Sequence, residues 1–239
     1  MSRNPKQSKS SLPFIIIGVV LAAVIVAVVL MSRPGGGSTP SAQQSINSNS
    51  AAPAVRTTAE QPGARNPWTK GGTTATVTLE EFSDFQCPAC GGLEPGLRNV
   101  LKDYGDRVRL VFRNFPLAMH KYAFQAARAA EAAGQQGKFW EMHDMLYDNQ
   151  KEWSDSMEPR VQFDSYATRL GLDVQKFKAD MERPELTERI KADYARGMSL
   201  GVKGTPTVYL NGRELVPGQL VTEDILRREI TAALGSAGK

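Results

Sequence analysis

From Leu12 to Met31 the chain reads LPFIIIGVVLAAVIVAVVLM, 20 residues without one charge. As a helix rising about 1.5 Å per residue, such a run matches the roughly 30 Å hydrocarbon layer of a bilayer. A cleaved secretory signal is the other use for an N-terminal apolar run, but its apolar core would be only about 7–15 residues long and would end at a small-residue site. The sequence VVLMSR at the end of this run offers no such site. The run is therefore expected to be an uncleaved transmembrane anchor over 12–31. Arg3, Lys6 and Lys9 precede it and only Arg33 follows closely, so the positive-inside bias makes 1–11 a cytoplasmic tail and places the rest outside the cell membrane.

The anchor divides the chain. Residues 32–66, SRPGGGSTPSAQQSINSNSAAPAVRTTAEQPGARN, have few large apolar side chains to bury and read as a disordered tether. Its reach would be about 30–35 Å. Six Lys and Arg stand against Glu60 in residues 1–65, net +5, so the chain total of +4 leaves residues 66–239 at −1. With the positive charge confined to tail and tether, a nucleic-acid-binding domain is disfavoured.

The remaining 67–239 has an α/β pattern. Thr74–Phe82 (TATVTLEEF) alternates like a strand, and Val108–Phe112 is a second apolar run. Between them Leu93, Leu97, Val100, Leu101 and Tyr104 form one helical stripe that Gly105 ends, a β-α-β opening with parallel strands. Gly91, Gly92, Pro95 and Gly96 weaken that helix, and a bend is expected at Pro95. About 118–200 then turns helical throughout, in four or five segments, as an insertion into the α/β frame. Thr207–Leu210, the Asn211-Gly212 turn and Glu214–Val216 read as a hairpin, and Thr222 caps a last helix running to about Leu234.

Cys87 and Cys90 are the chain's two cysteines. Zinc would need four ligands, yet His120 and His143 lie 23 positions apart and nothing else is soft, so no metal is expected. A static staple across two residues closes too short a loop to stabilise much. A reactive pair fits better: the first strand ends just before Cys87, Pro88 suits a first helical turn, and Cys87 becomes the cap whose thiolate faces unpaired N–H groups and the helix dipole. Cys90, one turn on, would be the more buried resolving partner. Far along the chain, Gly204-Thr205-Pro206-Thr207 stands immediately before a strand.

Together these motifs resemble the DsbA-like branch of the thioredoxin superfamily, in particular its membrane-anchored bacterial forms. The likeness runs over residues 74–234 through EFSDFQCPAC (81–90), FRNFPLAMH (112–120), FWEMHDMLYDNQ (139–150) and GTPTVYLNGREL (204–215). It implies a thioredoxin-like fold with an inserted all-helical subdomain capping the active-site side, and a cis Thr205–Pro206 bond beside the sulfurs. It also implies thiol–disulfide exchange on unfolded or folding exported proteins, with the Cys87–Cys90 disulfide as the redox group and no other cofactor. Catalysis would fall to Cys87, Cys90, Pro206 and Glu81, and substrate contact to Thr205, Pro88 and Ala89. The branch's best-known members have His where this chain has Ala89, which removes a thiolate-stabilising group and points to a weaker oxidant.

Glu81 matches a buried acid of the family and could relay a proton at Cys90; the alternative is a solvated charge at a sheet edge. His120 is a near-site candidate against a plainer role at a helix start. Phe82 and Phe85, and Phe139, Trp140, Met142 and His143 in the insertion, read as packing. Two rivals to an oxidase remain. A reductase or isomerase uses the same residues in reverse and would draw on a membrane electron conduit, whereas an oxidase would need a quinone-linked membrane thiol oxidase of DsbB-like or VKOR-like type. A tethered peptide-binding chaperone would need neither cysteine.

Overall fold

The computed structural model describes residues 62–237. The expected anchor and all but the last residues of the expected tether lie outside them. Among the described residues no helix is long and apolar enough to cross a membrane.

Five strands form one sheet in the order β1-β3-β2-β4-β5: β1 Trp68–Gly71, β2 Val77–Ser83, β3 Val108–Asn114, β4 Thr207–Leu210 and β5 Arg213–Glu214. β2 and β3 are parallel, with Glu81 opposite Phe112, and every other neighbouring pair is antiparallel. The parallel pair requires a crossover, supplied by helix α1, Pro88–Tyr104. β1 was not foreseen. Its four residues, WTKG, are too few to show alternation, and what holds it is tertiary: Trp68 stacks on Phe139 at 4.4 Å, and Trp140 Nε1 donates to the Thr69 carbonyl at 3.0 Å. The strand expected from Thr74 begins at Val77, where the pairing with β3 begins.

The insertion supplies α2 Ala123–Gly134, α3 Phe139–Asp148, α4 Gln150–Ser154, α5 Pro159–Arg169, α6 Val174–Met181 and α7 Pro184–Leu200. That is one more helix than the sequence pattern resolved, because the five-residue α4 is too short to show a period. The last helix, α8 Glu223–Ala237, starts after Thr222, whose hydroxyl accepts from the Ile225 N–H at 3.4 Å. In the hairpin, Asn211 and Gly212 have φ of 48° and 83°, the paired positive values of a tight two-residue turn. The helix expected to bend at Pro95 remains one element through it.

Three apolar clusters result. Leu79, Leu93, Leu97, Val108, Leu210 and Ile230 join one sheet face to α1 and α8. Phe82, Phe115, Val202 and Tyr209 pack on the opposite face. The third cluster fills the insertion around Phe112, Met142, Trp153 and Phe163, and it contains both cysteines. Seven alanines of α2 are buried, side chains small enough for α3, α6 and α7 to approach closely.

The segment just before β1, assigned by its composition to the tether, is held down. Ala64 N donates to Asp193 Oδ1 at 3.1 Å, Arg113 Nη1 donates to the Ala64 carbonyl at 3.1 Å, and Arg189 Nη1 donates to the Arg65 carbonyl at 2.8 Å. Gly63 and Ala64 line the end of this clamp, where a side chain on Gly63 would meet Arg196 at 2.9 Å. Polar composition marks a segment with little to bury; it does not reveal that neighbouring side chains will take its backbone groups.

Candidate active site

β2 delivers the chain to the site and a short turn hands it to α1. The Asp84 carboxylate accepts from Gln86 N at 2.7 Å and the Asp84 carbonyl from Cys87 N at 3.0 Å, which leaves Cys87 extended (φ −72°, ψ 120°) as the N-cap of α1 with Pro88 next. Both cysteines are free thiols. Cys87 is 7% exposed and Cys90 1%, the asymmetry expected of an attacking and a resolving sulfur. The Thr205–Pro206 bond is cis, as the resemblance implied, and Cys87 Sγ donates to the Thr205 carbonyl at 3.3 Å. Residues 118 positions apart thus meet at one sulfur.

The thiol of Cys90, hydrogen-bonded to the Cys87 sulfur, is the main influence holding the Cys87 pKa down at about 5; burial opposes it, and the Thr205 side chain and the N–H groups of Cys90 and Ala89 assist. The order of causes differs from the sequence argument, which rested on the helix end alone. A partner thiol one turn along donates directly to the sulfur, whereas the helix end acts through a few amides. Burial, followed by the nearby Cys87, pushes the Cys90 thiol well above its ordinary value. One sulfur is a ready nucleophile and leaving group, and the other keeps its proton.

Glu81 is 1% exposed, so the solvated-edge alternative fails. Burial raises its pKa to about 7, and its Oε2 has no hydrogen-bond partner. On its strand it lies opposite Phe112 and Val208, where two apolar clusters meet. Around it are polar groups the sequence reading missed. Ser83 Oγ and the Tyr147 hydroxyl are 2.8 Å apart, and both groups feel Glu81 and Cys90. Glu94, one helical turn beyond Cys90, is also buried, with its carboxyl pushed up by burial. Its Oε2 lies 3.8 Å from His143 Nε2, while His143 Nδ1 is 2.9 Å from Asp144 Oδ1. Arg98 reaches Glu94 at 3.0 Å and Asp148 at 2.7 Å, so these acids form an ion-pair cluster with a built-in cation. The signal available in the sequence was an acid beside Leu93 on the inward stripe of α1.

His120 precedes α2 and does not begin it. Its Nδ1 lies 2.7 Å from Asp84 Oδ2, which also accepts from Leu117 N at 2.9 Å, so it braces the residue whose carbonyl holds Cys87 N. Phe82 and Phe85 are core, as read, and His143 is packed among Phe85, Phe112, Phe139 and Tyr147. Pro88 is exposed and Ala89 half-buried. Ala89 borders one open cleft with Leu93 and Val221, and Thr205 and Pro206 border a second of about 450 Å³ with Val216 and Pro217. Leu220, 66% exposed, lines both.

Residues 64–230 match the family model described as Thioredoxin. Among solved structures, a thioredoxin-like oxidoreductase from Silicibacter pomeroyi DSS-3 is similar at 32% identity and a TM-score of 0.61, covering 71% of this chain and 93% of that one. BdbD from Bacillus subtilis, in its oxidised form, superimposes at TM-score 0.60 with 21% identity over 73% of this chain and 99% of its own. Wolbachia pipientis alpha-DsbA1 does so at 0.62 with 17% identity, over 72% and 92%. A curated relative, the Na(+)/H(+) antiporter NhaA 3 of Salinispora tropica, is 43% identical over 145 residues, 60% of this chain. That match spans 21% of the antiporter, so this chain corresponds to about a fifth of the curated relatives' length.

Proposed function

Because this chain belongs to the thioredoxin family, we propose that it is a DsbA-like thiol–disulfide oxidoreductase that forms disulfide bonds in exported proteins through Cys87 and Cys90. A client thiolate attacks the Cys87 sulfur of the Cys87–Cys90 disulfide; a mixed disulfide forms and Cys90 leaves as a thiolate that takes up a proton. The client's second thiolate then attacks the client sulfur of that bond and expels Cys87. Two electrons pass from client to enzyme, and a quinone-linked membrane thiol oxidase would remove them.

The observation that carries this reading is the Cys87 sulfur at the N-cap of α1, 3.3 Å from the Thr205 carbonyl and backed by the buried Cys90 thiol, a setting that holds the Cys87 pKa down at about 5 and that of Cys90 well above its ordinary value. A stable leaving thiolate speeds the second step, and stabilising the reduced form makes the disulfide the stronger oxidant, which favours oxidase over reductase. The open clefts beside Ala89, Thr205 and Pro206 offer an extended client a place to lie, with loose apolar affinity and broad specificity. The test is to mix the oxidised protein with a reduced, unfolded client and count thiols. Stoichiometric loss of client thiols, absent in Cys87→Ser, is expected; no loss, or equal loss in that variant, refutes the reading.

The charge-free run at 12–31 supports a location on the outer side of the bacterial cell membrane, with the N-terminus in the cytoplasm. Digestion of the domain by protease added to spheroplasts is the expected result, and its protection until lysis would contradict that placement.

A further inference from the structure

The motif FWEMHDMLYDNQ ends at Gln150, to which neither the sequence reading nor the exchange chemistry gives a role. In the structure its carboxamide nitrogen donates twice to the active-site turn, to the Phe85 carbonyl at 2.7 Å and to the Cys87 carbonyl at 2.8 Å. These are the carbonyls on either side of Gln86. The Cys87 carbonyl also accepts from Gly91 N at 3.2 Å, so it is held from the helix and from the insertion together.

Gln150 is itself held firmly. It is the first residue of α4, just after Asn149, whose side chain donates to the Met145 carbonyl at 2.8 Å. Three residues on, Trp153 is fully buried with its Nε1 on the Leu146 carbonyl at 2.7 Å. An independent feature clears the space: a side chain on Gly91 would place its Cβ 2.6 Å from Gln150 Oε1. Glycine at that helical position has an intrinsic cost, and contact with Gln150 is what it makes room for.

We propose that Gln150 is a positioning residue for thiol–disulfide exchange, an arm of the inserted helices that fixes the 85–87 turn so that the Cys87 sulfur stays aimed at the Cys90 thiol and the first amides of α1. The inference rests on the exchange reading above and deepens it. In the oxidised protein the Cys87–Cys90 bond fixes the same turn covalently, so the clamp adds little there. In the reduced protein no such bond exists, and the clamp supports the arrangement that favours the thiolate. Gln150 therefore stabilises the reduced form selectively, which strengthens the oxidised form as an oxidant.

The experiment uses the full-length protein and Gln150→Met, which keeps the side-chain length and removes both donors. Cys87 is titrated by ultraviolet thiolate absorbance, and the redox equilibrium is measured against glutathione. The expected result is a higher Cys87 midpoint and an equilibrium shifted about three- to tenfold toward the enzyme disulfide, about the worth of one hydrogen bond, because of the two that are lost the Cys87 carbonyl still accepts from Gly91 N. Gly91→Ala, which displaces the carboxamide, should shift the equilibrium in the same direction, and should have no such effect in a Gln150→Ala background, where the space is empty. An unchanged midpoint and equilibrium in Gln150→Met, with only thermal stability altered, would overturn the proposal. So would an equal effect of Gly91→Ala in both backgrounds. Absence of exchange in the unmodified protein would instead defeat the functional reading, which keeps the two failures distinct.

Discussion

At the scale of single residues the site is a set of unequal pairs. Cys87 and Cys90 belong to one dithiol, yet one sulfur is held near pKa 5 and the other well above its ordinary value, because the first accepts the second's hydrogen bond and the second is buried against it. Glu80 and Glu81 are chain neighbours on opposite faces of β2. Burial would raise Glu80, but Arg196 and Arg113 outweigh it and hold that carboxyl below its ordinary value. Glu81 has no such cation, and burial alone lifts it to about 7 from 4.5. A carboxyl raised in this way adds stability that is complete below pH 4.5 and is lost as pH rises through about 7. Glu81→Gln should therefore gain on the unmodified protein as pH climbs across that window. Urea unfolding at several pH values measures this, and parallel curves would show that Glu81 is not buried as described. If the same carboxyl delivers the proton that Cys90 takes up as it leaves, formation of the mixed disulfide should slow several-fold in the variant and lose its inflection near neutrality.

Helices and strands were legible in the sequence to the extent that a period had room to repeat. The stripe of α1, the hairpin turn at Asn211-Gly212 and the five longer inserted helices all follow from spacing. β1 and α4 span only 4 and 5 residues, so no period could announce them, and both are made by what they touch. The cysteine pair and Thr205–Pro206 were readable because their chemistry is written in rare residue types at fixed places. Glu94, Tyr147 and Gln150 were not, because a common residue becomes part of a site only when the fold turns it inward. Glycines in helices show the same dependence on context. Gly92 of α1 has nothing within 4 Å of where a Cβ would stand, whereas at Gly197 of α7 that Cβ would be 2.5 Å from the Phe115 ring and 3.0 Å from Phe82. Propensity alone favours alanine at both positions by up to about 1 kcal/mol. Gly92→Ala should thus stabilise by about 0.5–1 kcal/mol, while Gly197→Ala should destabilise by about 1–3 kcal/mol, since overpacking wins over propensity. Chemical unfolding of the two variants side by side decides it, and a gain in both would mean that the α7 contact is softer than drawn.

For the molecule as a whole, a local pKa becomes a property of folding. In the reduced protein, Cys87 titrates near 5 when folded and near its ordinary 9.0 when unfolded. A depressed value of this kind contributes stability that is full above pH 9 and is lost as pH falls through about 5. In the oxidised protein neither sulfur titrates, and the contribution vanishes. The stability of the reduced form relative to the oxidised form should therefore grow with pH across the window from about 5 to 9, with a limiting slope of about 1.4 kcal/mol per pH unit for one proton. Above pH 9 the raised Cys90 begins to act in the opposite sense, because its proton is then retained in the folded state and lost in the unfolded one. By a thermodynamic cycle, the stability gap equals the difference in free energy of reducing the disulfide in the folded and unfolded chains. A gap that widens with pH is thus the same statement as a folded disulfide that becomes a stronger oxidant than a free-chain disulfide as pH rises. Urea unfolding of the reduced and oxidised forms at pH values across that window measures the gap directly. A gap independent of pH would mean that folding leaves the Cys87 thiol at its free-chain value, and the proposed driving force for disulfide transfer would be absent.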